Sequence, residues 1–348
     1  MQKKRVGIYT KRTELNDALV QQQLHNYEIV DFRPLFREWM PQWEARGGAA
    51  SFDPIVAKEI RTCDALITFI DSYTLPQELR QDHGSLRYIC HTRGVLKAYF
   101  PRFLMENGVR ISNWGDTPAK SVAGKAITLL MSLLYQVPAL DRKVRGSQEP
   151  LLWQSYNSEH LDMLTVGLYG CGVIGRCMAK YCLAMGMKVL VFDPWAKVLP
   201  EGTERVDDLD TLFGRSQIVS IHAGLSPETT GSVNAARLSL LPVGGIVVNT
   251  ARPGIIDETA LLAELRANRL MAGLDVMEHE GRWDQSPLIH ERNCILTGHG
   301  HFKAQTPPGQ ERPPSPLPTF VPENLDAFFS GRPLYAEILG LEHYDRTT

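Results

Sequence analysis

Three glycines at the spacing GxGxxG, namely Gly170, Gly172 and Gly175, are followed 18 residues later by Asp193. They stand in TVGLYGCGVIGRCMAKYCLAMGMKVLVFDP, where an apolar run, the glycine turn, a helical pattern, a second apolar run and an acid come in order. Each residue type has a physical task. Gly170 permits a tight turn off a strand, Gly172 lets the backbone approach a pyrophosphate, and Gly175 lets a helix pack close to the sheet. The N-terminus of that helix then faces the phosphates. Asp193 closes the run Lys188 to Phe192, where a carboxylate can accept both adenosine ribose hydroxyls and would repel a 2′-phosphate. The pattern is that of a dinucleotide-binding βαβ unit, and it favours NAD over NADP.

The elements that must position this turn are legible on both sides of it. Before it, short apolar runs at Val6 to Tyr9, Tyr27 to Phe32, Ala65 to Ile70, Leu86 to Cys90 and Val109 to Ile111 alternate with polar, helix-compatible stretches. That alternation predicts a first α/β unit with a mostly parallel sheet. From Pro118 to Arg142 the apolar spacing of Val122, Ile127, Leu130, Leu133 and Leu134 predicts one long helix that carries the chain into a second domain. After Asp193 the runs Ile218 to Ile221, Ile246 to Asn249, Met271 to Val276 and Cys294 to Thr297 extend the nucleotide-binding sheet. The stretch TPPGQERPPSPLP, from Thr306, holds six prolines and excludes a regular helix, so it reads as an extended strap or loop. Pro322 to Phe329, followed by Gly331, predicts a short closing helix with a glycine stop.

Composition narrows the class. The 348 residues, 43% hydrophobic and 22% charged, suffice for two globular domains. The formal net charge of −2 offers nothing to a polyanion, and Lys3, Lys4 and Arg5 read as a solvated strand entrance, so no nucleic-acid partner is expected. Cys63, Cys90, Cys171, Cys177, Cys182 and Cys294 form no CxxC pair and no metal-ligand spacing; they predict reduced core thiols and no metal site. No run approaches the roughly 18 apolar residues of a membrane span. These features together predict a soluble, cytoplasmic protein.

From about Val109 to Leu334 the chain resembles the D-isomer-specific 2-hydroxyacid dehydrogenases. The marks are YGCGVIGR with VFDP, then VSIHAGLSPETTG, VVNTARPGIIDETALLAEL, GLDVMEHE, SPLI with NCILTGHG, and ENLDAFFSGRPL. The resemblance implies an α/β architecture in which a Rossmann NAD-binding domain (116–297) is inserted into a flavodoxin-like substrate domain (1–115 and 298–348), and a homodimer formed through the nucleotide domain and the long helix. It implies a catalytic arginine, glutamate and histidine at Arg252, Glu280 and His299. Arg252 would bind and polarise a 2-oxo acid, which a planar guanidinium does better than lysine. His299 would act as general acid, a role that suits histidine because the side chain can give and take a proton near neutrality. Glu280 would hold the imidazole; Glu278 and His301, each two residues away, are rival positions. Asp275 would contact the nicotinamide carboxamide, Thr250 and Ala251 would border the ring through their backbone, Val173 and Ile174 would lie along the pyrophosphate, and Ala223 would join the cofactor contacts. A loop at Arg93, Gly94 and Val95 would bind the substrate carboxylate, although CHTRGVLKAYF departs from the family pattern there.

Other departures concern the backbone. Gly224 stands for a proline after His222, Pro253 for a glycine after Arg252, Gly298 for the proline before His299, and Gly124 for a glutamate in the long helix. Pro253 pushes Arg252 away from the α region, and Gly298 adds freedom to the loop carrying the acid. Trp114, Tyr99 and Phe100 are aromatic candidates for the substrate wall. The reading that results is an NAD-dependent oxidoreductase interconverting a 2-oxo acid and a D-2-hydroxy acid. A second reading is an NAD(H)-sensing binding protein on the same fold, with the proline-rich strap as a partner segment. A third is a related enzyme acting on formate or phosphite.

Overall fold

The short apolar runs become the strands of two parallel sheets. The computed structural model describes residues 3–11, 15, 17–38, 53–69, 72–94, 96–97, 99–148, 151, 160–299 and 317–346. The chain divides into two compact units, Met1–Gly115 with Ala304–Thr348, and Asp116–Lys303. His299 thus falls in the second unit, whereas the sequence reading drew the boundary at 298. Most of the proline-rich strap, from Thr306 to Pro316, lies outside the described residues.

In the first unit, β1 (Arg5–Tyr9), β2 (Glu28–Asp31), β3 (Ala65–Thr68), β4 (Tyr88–His91) and β5 (Arg110–Ser112) lie in the order β2-β1-β3-β4-β5 and pair in parallel. This is the flavodoxin-like order of a doubly wound sheet. β3 and β4 are buried along their whole length, as strands covered on both faces must be. The chain returns to this unit near its end. In the helix Phe320–Phe329, Phe328 stacks on Tyr88 with ring centroids 4.7 Å apart and Asn324 Nδ2 donates to Ser112 Oγ at 3.1 Å. Arg110 grips Glu337 through Nε at 2.6 Å and Nη2 at 2.8 Å. The helix starts two residues before Pro322 and stops as expected. Gly331, at φ +69°, lets Arg332 N–H reach the Ala327 carbonyl at 2.8 Å and its own N–H reach that of Phe328 at 3.1 Å, a Schellman ending.

In the second unit, β6 (Thr165–Tyr169), β7 (Lys188–Phe192), β8 (Thr203–Arg205), β9 (Ile218–Ile221), β10 (Gly245–Asn249), β11 (Leu270–Leu274) and β12 (Cys294–Leu296) form an all-parallel sheet of order β12-β11-β10-β9-β6-β7-β8. The order reverses between β6 and β9, which opens a crevice at the carboxyl ends of those strands, the place where such sheets bind dinucleotides. β8 has no counterpart in the sequence reading, because the edge strand TER is short and polar. β9, β10 and β11 are buried throughout. Asp208, Asn234 and Asp257 cap the following helices by accepting from Thr211, Arg237 and Ala260 N–H, each cap worth about 1 kcal/mol.

The expected single helix from Pro118 to Arg142 is two helices, Ala119–Leu134 and Val137–Val144, bent by 52°. Pro138 has no N–H and its ring would strike the carbonyl one turn earlier. The first helix therefore ends, with Tyr135 N–H on Met131 O and Gln136 N–H on Leu133 O, and Gln136 turns through φ +49°. Among the described residues no single helix is long and apolar enough to cross a membrane.

Candidate active site

The glycine turn separates its three glycines by physical task. Gly170, at φ +95°, donates its N–H to Phe192 O at 2.9 Å; a Cβ there would stand 2.6 Å from Ala223 N. A Cβ on Gly175 would fall on the Gly170 carbonyl oxygen, so this glycine admits the helix Val173–Ala184 against the turn itself. A Cβ on Gly172 would meet nothing within 4 Å. Gly172 caps the helix, and Val173 is exposed while Ile174 is partly buried against the core. The open space before the first-turn N–H groups is a cradle of the kind a pyrophosphate occupies. Asp193 folds back on this turn: Oδ2 accepts Cys171 N–H at 2.7 Å, and Oδ1 accepts Trp195 and Ala196 N–H at 2.8 and 3.0 Å. Its oxygens keep further lone pairs for ribose hydroxyls, and its charge fixes the loop as well.

The catalytic candidates cluster beyond β10 and β11. Asn249, at the end of β10, accepts Ala251 N–H on Oδ1 at 3.0 Å and donates Nδ2 to Arg252 O at 2.9 Å, shaping the loop Thr250–Arg252. Arg252 is extended at φ −144°, ψ 141°, as the following Pro253 requires. Burial pulls its guanidinium below the ordinary arginine value, and the Glu280 carboxylate pulls the other way. The Thr250 hydroxyl is buried with no hydrogen-bond partner among the described residues, a cost of about 1–3 kcal/mol that a bound group could relieve. Together with the cradle at Gly172, this orphaned hydroxyl fits a nicotinamide dinucleotide.

Glu280 Oε1 lies 2.8 Å from His299 Nδ1. The backbone N–H of the rival Glu278 goes to Glu258 Oε1 at 2.7 Å, and burial raises the Glu258 carboxyl. His301 lies outside the described residues. His299 N–H donates to Asp275 O at 2.5 Å. Gly298 and His299 are both left-handed, at φ +60° and +51°. Gly298 thus serves a defined turn more than a loose one, since proline cannot take a positive φ, and a Cβ there would come to 3.3 Å of the Trp283 ring. The conformation costs a non-glycine histidine roughly 1–3 kcal/mol, which its bonds to Asp275 and Glu280 offset.

Asp275 is buried and paired. Lys125 Nζ lies 2.9 and 3.1 Å from its two carboxylate oxygens, and Thr297 Oγ1 donates to Oδ1 at 2.6 Å. The sequence reading missed Lys125, although a lone cation on the apolar face of the helix Ala119–Leu134 was a signal. Gly124 stands in open space, so nothing in its surroundings accounts for the missing glutamate.

In the first unit, Arg93 Nη1 donates to Thr92 O at 3.0 Å and its guanidinium lies over Trp114, 5.1 Å from the ring. A Cβ on Gly94 would come to 2.8 Å of Trp114 Nε1, so the indole packs against that glycine. Val95 lies outside the described residues. Phe100 is fully buried and meets His91 edge-on at 5.1 Å; it is core and lines no substrate wall.

The model of the D-isomer specific 2-hydroxyacid dehydrogenase family, NAD binding domain, matches residues 127–300. The chain belongs to this family. As a D-isomer-specific 2-hydroxyacid dehydrogenase it is an NAD-dependent oxidoreductase with a Rossmann-type NAD-binding domain. It is similar to the hydroxypyruvate reductase of Blautia hydrogenotrophica, 28% identical over 288 residues, 79% of this chain and 85% of that one. It is also similar to the hydroxypyruvate reductase of Thermotoga maritima, 34% identical over 212 residues, 60% of this dehydrogenase and 67% of the relative. Its fold is that of the apo D-mandelate dehydrogenase of Rhodotorula graminis, with a TM-score of 0.71, 23% identity and coverage of 98% and 99%.

Proposed function

We propose that this dehydrogenase interconverts a short 2-oxo acid and the corresponding D-2-hydroxy acid, with Arg252, Glu280 and His299 as its catalytic residues. NAD, when bound, supplies the hydride exchange at C2. Arg252 grips the carboxylate and carbonyl oxygens and draws electron density from C2. Glu280 holds His299 through Nδ1, and the imidazole gives a proton to the carbonyl oxygen as it gains charge and takes it back in oxidation. Gly170, Gly172, Val173, Ile174, Gly175 and Ala223 form the phosphate cradle, Asp193 holds the ribose and disfavours NADP, and Thr250, Ala251 and Asp275 face the nicotinamide. The first unit is the substrate domain, with Arg93, Gly94 and Val95 in its carboxylate loop. Hydroxypyruvate and glyoxylate are the leading substrates, because relatives are named as reductases of these acids.

The observation that carries this reading is the 2.8 Å pairing of His299 with Glu280 in the same unit as the glycine turn. The test is NADH oxidation against a panel from glyoxylate and hydroxypyruvate to phenylpyruvate. Turnover is expected with the short acids, and His299→Ala should lower kcat by roughly 10²- to 10⁴-fold. Binding of NADH without reduction of any acid would instead favour an NAD(H)-sensing protein.

Two further readings accompany this one. The helix Val137–Val144 exposes Val137 (53%), Leu140 (43%) and Val144 (88%) on one side, an apolar face that supports a homodimer. All six cysteines are free thiols and four are buried, in keeping with a reducing cytoplasm.

A further inference from the structure

We propose that Lys125 balances charge for the cofactor: by neutralising Asp275 it removes the advantage a bare carboxylate would give cationic NAD⁺ over neutral NADH, and so sets the ratio in which the two forms bind. The inference rests on the reading above, in which the nicotinamide lies at Asp275.

The geometry follows from a missing side chain. Gly273, in β11, lets the helix Ala119–Leu134 come so close that a Cβ on the glycine would stand 2.9 Å from Leu129 Cβ and 3.3 Å from Leu133 Cδ1. Lys125 is one helical turn before Leu129 and so shares its face, while Asp275 is two residues past Gly273. Lys125 is thereby carried over Asp275, and the ion pair is shut in, with side chains 12% and 6% exposed. An apolar residue would satisfy that helix face without the cost of desolvating a cation.

Asp275 is also the junction of the site. Its N–H goes to Asn249 O at 2.9 Å, and Asn249 shapes the Arg252 loop; its carbonyl receives His299 N–H at 2.5 Å. The charge on this residue lies beneath both catalytic loops. A nicotinamide ring is cationic when oxidised and neutral when reduced, so an unpaired buried carboxylate at this junction would hold NAD⁺ on the order of tenfold more tightly relative to NADH than a neutral pair does.

The test titrates the purified full-length protein with NAD⁺ and separately with NADH by calorimetry and compares the ratio of Kd values. In Lys125→Met the ratio Kd(NAD⁺)/Kd(NADH) should fall about tenfold, and in Lys125→Arg it should stay within about twofold of wild type. Asp275→Asn, which removes this carboxylate and keeps the cation, should move the ratio the opposite way. The double variant Lys125→Met/Asp275→Asn, neutral again, should return towards wild type. If Lys125→Met does not fold, the Asp275→Asn and Lys125→Arg shifts decide. Variants that weaken both nucleotides equally, or leave both unchanged, overturn the proposal while sparing the cofactor reading. Failure of the wild type to bind either nucleotide overturns that reading and this inference with it.

Discussion

His222 lies directly behind the glycine turn, its backbone so close that a Cβ on Gly170 would stand 2.8 Å from its carbonyl carbon. Its Nε2 meets Ser220 Oγ at 2.9 Å, and its Nδ1 is buried with no hydrogen-bond partner among the described residues. Burial lowers the imidazole to about 4, against roughly 6.5 in an unfolded chain. Between those values the unfolded state takes up a proton that the folded state refuses. The stability contribution is therefore complete above about pH 6.5 and is lost as pH falls towards about 4. The residue keeps partial exposure, so the loss should be about 1–2 kcal/mol. Urea unfolding midpoints at pH 7.5 and 4.5 should show a smaller acid-side drop in His222→Gln than in wild type; equal drops would assign the acid sensitivity to other groups.

The strand-turn-helix from Thr165 to Ala184 makes its three glycines separable by experiment. Gly170→Ala forces a methyl to a positive φ and against the Ala223 backbone, and should cost at least about 2 kcal/mol of stability. Gly172→Ala meets no protein atom, and should leave stability within about 0.5 kcal/mol. It should nevertheless weaken NADH binding, since the methyl fills the space a pyrophosphate would enter. Thermal unfolding and NADH titration of both variants separate the two effects; a Gly172→Ala protein that binds NADH like wild type would remove the phosphate from that cradle. The element between Ala119 and Val144 teaches the opposite lesson. Its apolar spacing runs on through Pro138 as if one helix continued, and the missing N–H and ring of that proline break it.

For the molecule as a whole, the exposed face of the helix Val137–Val144 predicts association through the nucleotide unit. Leu140→Glu should move the protein from dimer to monomer in sedimentation while leaving its secondary structure unchanged, and a wild-type monomer would dispose of the homodimer. By itself the sequence determined the two parallel sheets and the glycine turn with Asp193, because these depend on local period and turn chemistry; Arg252, Glu280 and His299 were legible only through the family resemblance. The pairing of His299 with Glu280, at 2.8 Å, is one that the family resemblance implies; tertiary structure alone decided that Gly298 and His299 turn left-handed and that Lys125 reaches Asp275, 150 positions along the chain. The physical reason is distance along the chain. Which charge answers which, and which loop must bend, depend on how closely a helix can approach a strand, and at Gly273 that is set by a side chain that is not there.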